Sequence, residues 1–354
     1  MKKKLIAIAV AAALAPAAAM ADATVYGRIH TSVDSISGVA ANTNSLYVNS
    51  SSSRFGVKGG TDLDGGLKAV FQLESGVTSV GGTGTGDGNP GTTNGTLFSG
   101  MRDTYIGVAG NFGTFLAGRL PAENQYVYDS NLFADQIGDA ATFTSGGVAG
   151  IGRANSALYY QTTDMSGFKG ALTYLPASSV VNSGGAADSG NSYGLKLDYA
   201  NAGITANFAY FKLDDGVAAG EFKPMSLAGS YDFGNGMVTA QYVRNKNDVA
   251  STSTTQNIYN IGGKFKVTGN GAIKAQYSKA GDASGTIGTG ASMFAIGYDH
   301  NLSKQVDVYV AYAAVSNDSA ATYRVDNYGH GANSTAPAAG EDPKGFSVGL
   351  TYNF

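Results

Sequence analysis

The chain has no cysteine, 7 prolines and 3 histidines in 354 residues. The lack of cysteine rules out a disulfide framework and a thiolate metal site, and is compatible with an oxidising compartment. His30, His300 and His330 lie far apart, with no ligand pair at metal-binding spacing, so no metal is expected. No G-x-S-x-G nucleophile elbow occurs. Residues 86–91 spell G-x-G-x-x-G. They lie in a Gly/Thr-rich stretch with no βαβ unit around them, so no nucleotide cofactor is expected. The formal net charge is −3, without the basic excess that nucleic-acid binding needs. Beyond the first twenty residues no apolar run approaches the ~18 residues of a membrane helix.

What is present begins with a targeting segment. Lys2, Lys3 and Lys4 precede the apolar stretch Leu5 to Leu14, and Ala19-Met20-Ala21 fits an A-x-A cleavage site. A transmembrane anchor is the rival reading, but the stretch is short and Pro16 interrupts it. Residues 1–21 are therefore expected to be a cleaved signal peptide and 22–354 the mature protein. Losing three lysines takes the formal charge from −3 to −6.

The 51 glycines, 21 tyrosines and 16 phenylalanines, with so little proline, suit many paired strands. Phe346, Val348, Leu350, Tyr352 and Phe354 alternate with Ser347, Gly349, Thr351 and Asn353. The same period of two recurs from Leu67 to Glu74, Phe168 to Tyr174, Tyr259 to Val267 and Gln305 to Tyr312. Seven short turns separate such strands, at residues 62–66, 110–113, 165–167, 201–203, 234–236, 269–271 and 301–304. Each carries residues that tolerate positive φ. Longer segments rich in Gly, Ser, Thr, Asn and Asp lie between the hairpins. Seven hairpins plus two terminal strands predict about sixteen strands, with short turns on one rim and long loops on the other.

A soluble sandwich also alternates. The export signal, the strand number and strands long enough to cross a bilayer at a tilt favour a closed antiparallel transmembrane barrel. Its short turns would be periplasmic and its long loops extracellular. A barrel of sixteen strands is too wide for its side chains to fill, so its lumen holds water.

Several segments resemble the trimeric general-diffusion porins of Gram-negative bacteria, most closely their beta-proteobacterial branch. These are DATVYGR at 22–28, SRFGVKGGTDLDGGLKAVFQLE at 53–74, GNFGTFLAGRL at 110–120, RANSALYY at 153–160, YDHNLSK at 298–304 and the final aromatic strand. The resemblance spans the mature chain. It implies an outer-membrane homotrimer, not an enzyme, passing ions and small hydrophilic solutes by passive diffusion, with lipid and the barrel-insertion machinery as partners. It also implies that the third long loop, residues 121–152, folds into the lumen as a constriction, with Arg54, Arg102 and Arg153 as its basic wall. Phe354 would be the barrel assembly signal.

Parity supports two of these arginines independently. If Phe55 and Val57 face lipid, Arg54 and Lys58 face the lumen; if Leu158 and Tyr160 face lipid, Arg153 faces the lumen. Arg102 inward would put Asp103 outward under strict alternation. Glu74 is the nearest carboxylate by parity, and the loop supplies Glu123, Asp129, Asp135 and Asp139, of which Asp129 and Asp135 are expected to face the arginines. Arg28, His30 and Arg119 are further lumen candidates. A barrel hydrolase, or an adhesin or structural barrel with a blocked lumen, remains as an alternative. Deleting Phe354 is expected to lower the yield of assembled barrel under both mild and strong expression, measured as heat-modifiable gel mobility.

Overall fold

The computed structural model describes residues 23–40, 45–80, 98–120, 128–144, 153–176, 191–214, 220–249, 252–331 and 334–354. Residues 1–21, expected to be a signal peptide, the G-x-G-x-x-G stretch and Glu123 lie outside them. Sixteen antiparallel strands form one sheet. They are β1 Thr24–Ser37; β2, in two pieces, Ser45–Ser50 and Arg54–Asp62; β3 Lys68–Val77; β4 Phe98–Gly110; β5 Gly113–Leu120; β6 Ala154–Gln161; β7 Phe168–Leu175; and β8 Ser192–Asn201. The second half comprises β9 Ile204–Asp214, β10 Glu221–Asp232, β11 Gly236–Val249, β12 Thr252–Lys266, β13 Gly271–Ala280, β14 Ala291–Asn301, β15 Val306–Asn317 and β16 Lys344–Asn353. Each strand pairs with its sequence neighbours, and β1 pairs with β16 from Arg28↔Asn353 to Ser37↔Lys344. The sheet is therefore a closed ring with no free lateral edge.

All seven short turns fall where the sequence places them, on the rim that also holds the start of β1 and the end of β16. The alternation sorts the faces. Leu227, Val238, Ile261, Phe265, Ile273, Phe294, Val348 and Leu350 are exposed on the outer surface. On the inner face of the same strands Ser226, Thr239, Gln241, Asn260, Lys274, Gln276 and Ser347 are buried. An apolar outside and a polar inside invert the pattern of a water-soluble domain, as hydrocarbon surroundings require.

Two of the wall's irregularities shape the site. Between Leu73↔Thr104 and Ser75↔Met101 the β3–β4 register shifts by one residue, so Arg102 and Asp103 both stand opposite Glu74. In β2, Ser51 to Ser53 interrupt the ladder. Ser52 has a left-handed φ of 47°. Their hydroxyls turn to other partners: Ser51 donates to the His330 carbonyl at 2.7 Å, and Ser52 to Asp135 Oδ1 at 2.8 Å.

The ring closes at Phe354, whose N–H and C=O exchange hydrogen bonds of 3.0 and 2.9 Å with Gly27. A Cβ on Gly27 would lie 2.3 Å from the Phe354 ring and 2.8 Å from the Arg54 carbonyl. Gly27→Val should therefore cost about 1–3 kcal/mol of overpacking at the closing seam and lower the folded fraction in heat-modifiable gels, whereas Ile29→Leu should not. An unchanged folded fraction would show that closure does not depend on this contact.

Candidate functional site

The lumen wall of β1 to β4 is basic. Arg28 and Arg54 are directly opposed across β1 and β2, an unfavourable placement for like charges unless carboxylates intervene. Two do. Asp135 accepts Arg28 Nη1 at 2.7 Å. Glu74 accepts Arg102 Nε at 2.5 Å and the Tyr26 hydroxyl at 2.8 Å. Arg28, Arg54, Lys58, Glu74, Arg102 and Asp103 line one recess of about 350 Å³. Lys58 Nζ stands 5.0 Å above the Tyr26 ring. Arg153 joins through Asp103, at 2.5 Å from its Nε.

Asp103 therefore does not point outward. The β-bulge inserts one residue, and the alternation that would have turned Asp103 to lipid restarts above it. Arg119 departs in the other sense. It pairs with Thr104 and shares its strand face with Phe115 and Ala117, outside the lumen. There its guanidinium donates to the Met101 carbonyl at 2.9 Å and to Asn155 Oδ1 at 2.6 Å. His30 keeps its lumen parity but is fully buried, between Arg28 (3.2 Å) and the Tyr309 hydroxyl (2.9 Å).

The described part of the third long loop, residues 128–144, lies against inward-facing side chains. Asp129 does not meet the arginines; it pairs with Lys196 of β8 at 3.1 Å. The loop is long enough for its two acidic ends to reach different walls, and Lys196 is the cation beside the first. Next, Ser130 O accepts Asn260 Nδ2 (3.4 Å), Leu132 N donates to Gln276 Oε1 (2.9 Å), and Lys274 Nζ donates to Leu132 O (3.0 Å) and Gln136 Oε1 (2.8 Å). Phe133 and Ile137 are fully buried. Asp135 then brings the loop to Arg28 and Ser52, and Gly138 N donates to Val325 O of the last long loop at 2.9 Å. Sequence reasoning missed Lys196, Lys274, Gln276 and the serines. The run Ser50 to Ser53, polar at every position inside a strand pattern, was the available signal for the last.

Ser32, Asp34 and His330 come together, but not as a hydrolase relay. Ser32 Oγ (3.4 Å) and Asp34 Oδ2 (3.3 Å) address the same imidazole nitrogen, and all three residues are buried. A nucleophile relay needs the nucleophile and the orienting acid on opposite nitrogens of the imidazole base. Among the described residues no group of acidic or histidine side chains is arranged to hold a metal.

A closed sheet with an apolar exterior and an ionic interior defines a transmembrane channel of the β-barrel type. The comparisons name the family. The model of the Gram-negative porins matches residues 7–320, and the chain belongs to that family, as an outer-membrane channel for diffusion. Outer membrane porin protein 32 of Delftia acidovorans is 32% identical over 370 residues, covering 100% of both chains. Major outer membrane protein P.IB of Neisseria gonorrhoeae is 33% identical over 222 residues, 59% of this chain and 56% of its own. Among solved structures, the anion-selective porin from Comamonas acidovorans shares the fold with a TM-score of 0.78, at 24% identity over 95% of this chain and 100% of that one. The trimer form of OmpT from Vibrio cholerae does so at 0.71 and 15% identity, over 94% and 99%.

Asp139 provides a pH test of the loop's seat. It is fully buried, and burial together with nearby Asp135 pushes its carboxyl up to about 7, against three donated hydrogen bonds that favour the anion. The unfolded value is about 3.9, so folding takes up a proton between about pH 4 and 7, and the stability this residue contributes falls as pH rises through that window. The loss of thermal stability caused by Asp139→Ala should accordingly be larger at pH 5 than at pH 8; equal losses would show that Asp139 is ionised throughout.

Proposed function

We propose that this porin passes ions and small hydrophilic solutes, with a preference for anions, through an eyelet formed between Arg28, Arg54, Arg102 and Arg153 and the third long loop. The observation that carries this is a charge excess. Among the described residues of that wall, five cations, Lys58 included, face the carboxylates Glu74, Asp103 and Asp135. The anion-selective porin from Comamonas acidovorans agrees in sign. Residues 121–152 act as the constriction loop, with Asp135 as its acidic contact to the arginines. Asp129 and Lys196 brace its far side.

Arginines stay ionised at any working pH. Their field crosses a narrow aqueous gap to Asp135 and Glu74, so polar solutes align in it and apolar ones must disrupt ordered water. Excess positive charge raises the local anion concentration and lowers that of cations. The protein further acts as a homotrimer, consistent with the trimer form of the Vibrio cholerae relative. It is exported with cleavage of residues 1–21 and is recognised through Phe354 by the insertion machinery.

Arg54→Ser is the cleanest test, because Arg102→Ser would strand the buried Glu74. It should raise single-channel conductance and the cation-to-anion permeability ratio in planar bilayers. The shift should be greater in dilute salt, where the Debye length is about 30 Å at 0.01 M against about 3 Å at 1 M. Replacing Asp318, exposed in the last long loop, should do much less. If neither conductance nor zero-current potential moves in dilute salt, the eyelet is built from other residues.

A further inference from the structure

Porin interiors are polar, because an apolar side chain gains nothing by facing water. One sector of this wall departs from that. Inward-facing positions of β4, β5, β6 and β9 carry Tyr105, Leu116, Tyr159 and Phe211, next to the small residues Ala171 and Gly194. Together they line a recess of about 290 Å³. Gly194 leaves room for the Phe211 ring, which a Cβ there would meet at 2.1 Å. The volume lies at the small end of ligand sites and suits one aromatic ring or a short branched chain.

Both cations at this recess already have carboxylate partners. Lys196 lies between Asp129 at 3.1 Å and Asp198 at 3.5 Å, and Asp103 holds Arg153. The recess thus offers apolar surface without a cation of its own to spare. Spare charge adjoins it. Gln72 and Asp103 line both this recess and the basic one, where four cations (Arg28, Arg54, Lys58 and Arg102) stand against Glu74 and Asp103.

We infer that the two adjoining recesses form a subsite for aromatic or branched aliphatic monocarboxylates, the apolar body against Tyr105, Leu116, Tyr159 and Phe211 and the carboxylate toward Arg54 and Lys58. The subsite rests on the channel reading above and adds a solute class to it. Such a solute exchanges poorly hydrated wall for apolar contact while its head keeps water and a charge-assisted partner. It resides longer at the constriction than a small anion of equal charge.

The test is block of chloride current in planar bilayers by sodium benzoate, with sodium acetate and benzylammonium chloride as comparison probes. Benzoate should reduce the current saturably, while acetate and benzylammonium should not at the same concentration. Leu116→Ser removes one apolar wall and should raise the half-blocking concentration about tenfold. Ala171→Leu, which fills the recess, should abolish the block. Stepwise chloride openings show in each case that the barrel has assembled, and a variant that fails to open leaves the other to decide. Equal block by benzoate and acetate, equal block by benzoate and benzylammonium, or wild-type benzoate block in the variants would overturn the subsite. A wild-type protein with no stepwise openings at all would instead overturn the channel reading.

Discussion

The structure depends on one constraint: in hydrocarbon, a backbone N–H or C=O that finds no partner in the protein finds none at all. That requirement forces the sheet to close on itself. The closing seam is where the ring must join residues from opposite ends of the chain, and it is made of Gly27 and Phe354 backbone groups exchanging hydrogen bonds. Barrels of many sizes can close; here sixteen strands do so, that number sets the width, and the width leaves a lumen that strand side chains cannot fill. The loop that crosses the lumen is a consequence of that surplus space.

Inside the lumen a second logic applies. Arginines placed opposite one another on neighbouring strands repel, yet here carboxylates from three different segments interleave with them. Glu74 comes from the wall, Asp103 from a bulge and Asp135 from the loop. The positive wall is thereby held in fixed geometry without losing its sign. The same arrangement anchors the loop, since Asp135 can balance Arg28 only if the chain around Ser52 and Lys274 seats it.

Much of this was legible in the residues. Strand alternation, the seven turns and the closing aromatic strand are local patterns, and each is written in consecutive positions such as Phe346 to Phe354. Parity turns Arg54 and Lys58 to one face, and both line the same recess, because β2 is regular from Arg54 onward. It misplaced Asp103 because that residue sits beside a register shift, which depends on the partner strand and leaves no trace in a single alternating run; Arg119 keeps the outward parity of Phe115 and Ala117, and alternation alone would have kept it off the lumen list. Asp129 was misassigned for a different reason. A loop of this length can reach any wall, and only the position of Lys196 on a strand distant in sequence decides which.

The bulge opposite Glu74 has a consequence of another kind. A β-strand carries two interleaved messages, one addressed to lipid and one to water, and the phase between them is set by counting. The extra residue at Arg102 and Asp103 shifts that phase for the next residues of the strand, Met101 and Gly100. Insertion or loss of a single codon there would exchange the audiences of the two messages without altering any other letter. In such a barrel, the chemistry presented to the solute can change by a slip in length as readily as by a substitution.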